Sequence, residues 1–315
     1  MDKRLEKFGI TDNLGAWTNE NGQELIEKSI LEAETINYIT VEPGVKYKKK
    51  IKFLDTDALL QSAAACGTPT SSGTTTLSSK ELSVKPYMIF EELCPQDIED
   101  TSLSLSMKPG AAEELPFEAQ FVNLKAKLAK KKIENKFWIN VSGSTEFEGI
   151  INQCDKDSDV VDVTANFTTT GLTDSQFIAL FVKMIDSIPE DITSSEDLTM
   201  FMGKDLFTKL SRAFLNSSNI LLQKFNFNGV DTFVFPGAEN VKVLPVNGLN
   251  KSNNTNQRVV LTPASNLIFV TDMVSEEDYS KMWWSDDDQK LKYIAKFKMG
   301  AAYKFGEYIV INQLS

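Results

Sequence analysis

Hydrophobic and polar positions alternate most clearly at 45–54, VKYKKKIKFL, where Val45, Tyr47, Ile51 and Phe53 interleave with Lys46, Lys48, Lys50 and Lys52. Period 2 predicts a strand with one apolar edge and one lysine edge. Residues 80–90, KELSVKPYMIF, alternate in the same way, with Leu82, Val84, Met88 and Phe90 in one phase. Pro86 has no amide hydrogen to donate, which confines this second strand to a sheet edge. Between the two runs lies QSAAACGTPTSSGTTTLSS, 61–79, made almost only of small and hydroxylated residues. It reads as a linker or as the tip of a long two-stranded arm, and the matched flanking runs favour the arm. A long hairpin is marginal alone in water, so an arm of this kind needs a surface beyond its own lobe.

The period changes to 3.6 in 111–140. At about 100° per residue, Leu115, Ala119, Val122, Ala126, Ala129, Ile133 and Phe137 share one helix face, and Phe117, Phe121, Leu124 and Leu128 lie nearly opposite. A surface helix needs one apolar stripe. Two stripes predict a helix held between layers, the second layer being another arm or a neighbouring subunit; burial inside one large domain is the alternative that periodicity leaves open. Acidic residues Glu113 and Glu114 at the start and lysines at the end suit the helix dipole.

Residues 138–150, WINVSGSTEFEGI, end that helix in a Gly/Ser turn. Thr173-Asp-Ser-Gln176 reads as a capping box opening a helix with Phe177, Leu180, Phe181, Met184 and Ile188 on one face, stopped by Pro189. A short apolar strand is predicted at 197–203, a helix at 204–215, strands around Phe225 to Phe235, a polar loop at 248–257, strand–turn–strand at 258–273, and a strand pair around Gly300 and Gly306 at 293–312. Upstream, Leu25, Ile30, Leu31 and Ile36 make only a weak helical stripe, so residues 1–36 read as an arm.

Charge sharpens the picture. The chain of 315 residues carries a net −11, which disfavours a dedicated DNA reader. Yet lysines 125, 127, 130, 131, 132 and 136 crowd the long helix. Lys125, Lys127, Lys130, Lys131 and Lys132 are candidates for proximity to phosphate, with strongly salt-dependent binding. The plainer reading is that flank lysines solvate the helix edges and cover apolar surface with their stems. The length suggests two lobes, since single cores stop growing at roughly 250–300 residues. The charged N-terminus has no apolar stretch of a secretory signal, no window approaches a membrane span, and use inside a cell is expected.

Candidate chemistry is sparse. The chain contains no histidine, which removes Ser-His-Asp and Cys-His arrangements and His-based zinc sites. Cys66, Cys94 and Cys154 are far apart and fit reduced, structural thiols. The acidic runs Glu276-Glu277-Asp278 and Asp286-Asp287-Asp288 lack the alternating spacing of a calcium loop and read as solvated surface. Nucleotide-binding signatures are absent. No catalytic, cofactor or metal residue is nominated.

The order of elements resembles the major capsid proteins of tailed bacteriophages, the Johnson fold: a short arm, a strand–small-residue tip–strand, a long helix, WINVSGSTEFEGI, a capped helix, DLTMFMGKDLFTKL, RVVLTPASNLIFVTD and the ending YIAKFKMGAAYKFGEYIVIN. Phe147-Glu148-Gly149-Ile150 sits where that family has its glycine-bearing turn. The resemblance covers about 30–315 and lies in order and spacing. It implies an α+β chain divided into an N-terminal arm (1–44), an extended β-hairpin or E-loop (45–92), a peripheral domain (93–145 and 274–315, with a spine helix at 113–137) and an axial domain (146–273). It implies a structural protein rather than an enzyme, a homo-oligomer of hexamers and pentamers in an icosahedral shell around double-stranded DNA, made in the host cytoplasm and ending in the virion. Portal, scaffold and decoration proteins would be its partners, with packaged DNA contacted non-specifically and no membrane. Subunit-interface candidates are Val45, Tyr47, Ile51, Phe53, Leu82, Val84, Met88, Phe90, Phe117, Phe121, Leu124 and Leu128. An encapsulin-type or minor vertex shell protein, a tail or baseplate protein, and an unfamiliar α+β enzyme are the alternatives.

Overall fold

The computed structural model describes residues 35–56, 75–94, 115–141, 143, 145–165, 167, 172–194, 198–218, 224–227, 230–250, 257–272 and 280–313. Residues 61–74 of the tip predicted at 61–79, the acidic run at 276–278 and most of the N-terminal arm lie outside these residues; 75–79 instead belong to a strand.

Among them, β1 (Thr40–Glu42), β4 (Lys85–Leu93), β11 (Leu267–Thr271), β12 (Ser280–Ser285) and β13 (Lys290–Tyr303) form one sheet. The long β13 is its spine, pairing antiparallel with β4 on one side and with β12 and β11 in succession on the other. Among the described strands β4 is bonded only to β13, and Pro86 stands on it opposite Lys298; an edge strand is where a missing amide costs least.

A second, seven-stranded sheet has the order β5 (Val161–Thr164), β14 (Val310–Gln313), β10 (Val260–Pro263), β6 (Leu198–Met202), β9 (Ala238–Pro245), β8 (Val230–Phe235), β7 (Lys224–Phe227). Among the described residues four α-helices accompany the sheets: α1 (Leu115–Trp138), α2 (Ile150–Cys154), α3 (Asp174–Asp186) and α4 (Lys204–Ser218). Every residue of β6 is buried because both faces of this sheet are covered. Leu198, Met200 and Met202 join Phe177, Phe181, Leu210 and Phe214 of α3 and α4 in one core; Phe201 turns the other way, into the core that α1 shares with the five-stranded sheet. The same alternation sends Leu261 and Val310 to the first core and Val260 and Ile311 to the second.

The capping box forms as predicted: Gln176 N–H donates to Thr173 Oγ1 at 3.3 Å, and Thr173 N–H donates to Gln176 Oε1 at 3.0 Å. Thr173→Ala is expected to lower stability by about 1 kcal/mol, read as a shift in the denaturant midpoint without a change in slope.

One expectation needs correction. The stretch 80–90 is not one strand. β3 (Thr75–Ser83) pairs with β2 (Lys48–Thr56), and the chain then changes sheets at Val84 to become β4. Gly300 permits the passage: a Cβ there would stand 2.1 Å from the Ser83 carbonyl oxygen. The two sheets do not divide at position 273. Leu267–Thr271, assigned to 146–273, is bonded into the five-stranded sheet, and Val310–Gln313, assigned to 274–315, lies in the seven-stranded sheet between β5 and β10. Fully buried apolar strands look alike in sequence, so period alone does not say which sheet takes them. Among the described strands the chain therefore passes between the sheets three times: from β4 to β5, from β10 to β11 and from β13 to β14.

Candidate assembly surfaces

The arm is a two-stranded ladder, nine residues a side, in unbroken register from Lys48 opposite Ser83 to Thr56 opposite Thr75. At about 3.4 Å per residue it is about 30 Å long. Its base is anchored. Val45, Leu82 and Val84 are buried in a small core with Ile268, Val270 and Ala302, and Ile51 packs at its margin. Val45 N–H donates to the Thr271 carbonyl at 3.3 Å, and Val84 N–H to the Tyr47 carbonyl at 3.1 Å.

Further out, one side of the ladder leans on the end of β13 and the residues just after it. Phe53 packs on Phe305 with ring centroids 4.9 Å apart, and Lys80 Nζ lies 3.3 Å from the centre of the Tyr303 ring. Tyr303 donates its hydroxyl hydrogen to Asp157 Oδ2 at 2.5 Å. Burial pushes the Lys80 ammonium below its ordinary range, and burial together with the Asp157 bond raises the Tyr303 phenol. The hydroxyl thus stays protonated as a donor. Tyr303→Phe should cost about 1 kcal/mol, the net worth of an ordinary hydrogen bond, measurable by chemical denaturation.

Beyond that seat the described side chains are exposed. Leu54 and Leu77 face each other across the two strands, 73% and 61% exposed. Tyr47 is exposed as well. Val45, Leu82 and Val84, picked from the sequence as subunit contacts, instead fill the chain's own core, and Ile51 and Phe53 are half-covered by it. The apolar phase of 82–90 is split for the same reason that the strand is: Leu82 and Val84 point inward, whereas Met88 and Phe90 stand on the outer face of β4.

Helix α1 meets the sheet with one face. Val122, Ala126, Ala129, Ile133 and Phe137 are buried. On the other face Leu124 and Leu128 are 57% and 52% exposed, while Phe121 is half-buried with its ring edge-to-face on Tyr293 at 5.4 Å. Phe117 lies on α1, with its side chain outside the described residues. The helix is thus covered on one stripe and open on the second.

Its lysines divide into two groups. Lys125 pairs with Glu91 of β4, and Lys136 pairs with Glu146 at 2.8 Å. Lys127, Lys131 and Lys132 are exposed and Lys130 is half-buried, and these four make no ion pair among the described residues. Between α1 and the β4–β13 edge runs an apolar groove of about 300 Å³, lined by Tyr87, Met88, Leu128, Ile133 and Phe297, with Lys125, Lys132 and Lys136 at its rim.

The C-terminal end of α1 carries a cluster that the sequence reading missed. Glu134 is buried, and its carboxylate accepts the Thr35 amide at 3.1 Å, the Thr35 hydroxyl, and Trp138 Nε1–H at 3.3 Å. Trp138 Nε1–H also reaches Thr35 Oγ1 at 2.8 Å. The indole ring packs on Phe137 and, across the interface between the sheets, on Phe201 at 5.2 Å. Gly248 lies so close that a Cβ would stand 2.4 Å from Trp138 Cδ1. A lone glutamate in a lysine run, four residues before a tryptophan, is the only local cue to this arrangement.

Chemical sites are few. No group of three or more His, Cys, Asp or Glu side chains that could hold a metal ion occurs among the described residues. Asp288, from the second acidic run, pairs with Lys292. Cys154 is buried and its thiol is pushed up to about 12 by desolvation. No helix among the described residues is long and apolar enough to cross a membrane.

No protein-family model matches the sequence, and no curated protein does. Solved structures do match in fold. A chain of the satellite phage P4 procapsid, which includes the size determination protein, is 11% identical with a TM-score of 0.62, covering 92% of this chain and 90% of that one. The capsid of Myoviridae phage XM1 gives 11% identity and a TM-score of 0.56, with 90% and 91% covered. The holo-SrpI encapsulin complex from Synechococcus elongatus gives 9% and 0.56, with 91% and 88% covered. At these identities the likeness establishes the architecture. The chain has the α+β Johnson fold of phage major capsid proteins, as the element order predicts.

Proposed function

We propose that this chain is a structural protein that assembles with copies of itself into the icosahedral head of a tailed phage, enclosing double-stranded DNA. The observation that carries the reading is apolar surface left bare on slender elements. The Leu54–Leu77 pair stands exposed on an arm whose described ladder is about 30 Å long, and Leu124 and Leu128 line the open stripe of α1. Single exposed leucines are ordinary. Paired leucines on a protruding ladder, in a fold found in shells, mark contact surface.

Assembly by such surfaces suits a closed lattice. Each contact can be weak, because closure engages many at once. One surface must also meet several slightly different surroundings in hexamers and pentamers, and an arm bends to do so more readily than a compact face. Portal, scaffold and decoration proteins are the partners this reading supplies, with packaged DNA touched non-specifically. No residue is given a catalytic role. The peripheral and axial domains are taken to follow the two sheets, with β11 on the peripheral side and β14 on the axial side.

The test is negative-stain microscopy of the expressed chain, alone and together with the products of its neighbouring genes. Closed particles of uniform diameter support the proposal; rings or tubes would point to a tail protein, and dispersed monomers with catalytic turnover to an enzyme. Likeness to the holo-SrpI complex favours one second reading, an encapsulin-type compartment. Particle contents separate the two: genomic DNA for a phage head, a protein cargo for a compartment.

A further inference from the structure

The apolar groove between α1 and the β4–β13 edge carries a charge pattern that its own chain completes only in part. At about 100° per residue, Lys125, Lys132 and Lys136 fall within about 40° of one another around α1 and make a row about 16 Å long on the groove's rim. Both ends of the row are occupied: Lys125 holds the Glu91 carboxylate, and Lys136 holds that of Glu146 at 2.8 Å. Lys132, between them, is exposed and makes no ion pair among the described residues. Below the row Tyr87, Ile133 and Phe297 form an apolar floor, and Met88 and Leu128 stand at the lips, 58% and 52% exposed. At about 300 Å³ the groove is at the small end of ligand pockets, with room for one or two apolar side chains.

We propose that the groove receives a short acidic segment of a different protein, which lays apolar side chains on this floor and sets a carboxylate against Lys132. Glu91 and Glu146 mark a carboxylate as the group that the row accepts. Lys132 stands partway along the row, so the carboxylate must leave its carrier sideways, as a glutamate does from a peptide; a single-chain fatty acid carries its carboxylate at one end. Apolar anchors one turn apart on an amphipathic helix suit such a groove. A second copy's arm is disfavoured by charge, because its exposed Lys46, Lys50 and Lys52 would meet the lysine row. Nucleic acid is disfavoured too: the floor is apolar, and two of the three lysines already hold carboxylates. The inference rests on the groove and stands apart from shell building.

Fluorescence anisotropy of the dispersed full chain tests it. The probe is a fluorescein-labelled amphipathic peptide of leucine and glutamate, about twelve residues and so about 18 Å long as a helix; its counterpart has lysine for every glutamate. The acidic peptide is expected to bind saturably and the basic one not. Lys132→Glu should weaken the acidic peptide roughly tenfold, which corresponds to about 1.4 kcal/mol, and let the basic one bind. Lys127→Glu, the same charge change about 140° away around α1, should alter neither. Both lysines are exposed, and thermal melts check that both variants fold. Peroxide oxidation of the exposed Met88 gives the position, and the acidic peptide should slow it severalfold. Equal weakening by the two variants, equal binding of the two peptides, no binding at all, or unchanged Met88 oxidation would overturn the inference. Met88 protection that rises with chain concentration alone would assign the groove to a second copy, and displacement of the peptide by decanoate to a lipid; either overturns it as well. Particle formation is scored separately by microscopy of the unaltered chain, so a failure here does not touch the shell reading, nor the reverse.

Discussion

Changing Leu54 and Leu77 together to aspartate is expected to leave a subunit that folds and melts as before yet no longer closes into particles. Both side chains are largely exposed and lie opposite each other beyond the seat formed by Phe53 on Phe305 and Lys80 on Tyr303. Substitutions at such positions usually change monomer stability by no more than about 0.5 kcal/mol. In an assembled shell the same pair would be covered by a neighbour. Two unpaired carboxylates would then be buried at every arm, each at a cost of several kcal/mol. A lattice stabilised by many weak contacts does not survive a penalty repeated at each of them. The measurement is paired: a thermal melt of the dispersed subunit and sedimentation of the assembly reaction. Normal-sized particles from the double variant would show that the arm's apolar pair is not a contact.

Trp138→Ala should act in the opposite sense, on the fold of the single chain. The indole is fully buried and touches Phe137 on its own helix and Phe201 on β6, so it joins α1 to the seven-stranded sheet. Its Nε1–H also donates to Thr35 Oγ1 and Glu134. Truncating a buried tryptophan costs about 3–5 kcal/mol, and here the buried Glu134 carboxylate loses a donor as well. At roughly 2–4 °C per kcal/mol for a chain of a few hundred residues, the melting temperature should fall by roughly 6–20 °C. Trp138→Phe keeps most of the packing and removes the donor, so the difference between the two variants separates the share of packing from that of the hydrogen bonds. A loss under about 1 kcal/mol for the alanine variant, well below the range for buried tryptophans, would mean that the two sheets are held together elsewhere.

The sequence made some of this plain and hid the rest for identifiable reasons. The two stripes of α1 were readable because helical period sorts residues by face without reference to a partner, and Val122 to Phe137 are buried while Leu124 and Leu128 are open. The capping box was readable because Thr173 and Gln176 meet within one turn. Sheet membership was not. Leu267–Thr271 and Val260–Pro263 are both wholly buried short apolar runs, and only hydrogen-bond partners distant in sequence place them in different sheets. The break at Val84 was hidden because alternation continues in phase through it while the burial of that phase reverses. Of the surface candidates, those near the arm base were misjudged because an alternating strand shows which residues share a face, not whether the chain itself covers that face. The joining of Thr35 to Glu134, 99 positions away, leaves no trace in local spacing.

Because the backbone passes between the sheets three times, no single scission divides the molecule into one half for each sheet. A protease nick in any connecting loop leaves at least one fragment with strands in both sheets. Trimming from either terminus likewise removes pieces of one sheet long before it frees the other. Attempts to express either half as a contiguous fragment should yield insoluble material, and a nicked subunit should stay in one piece until denatured. Such interlacing spreads a pull on either sheet across both.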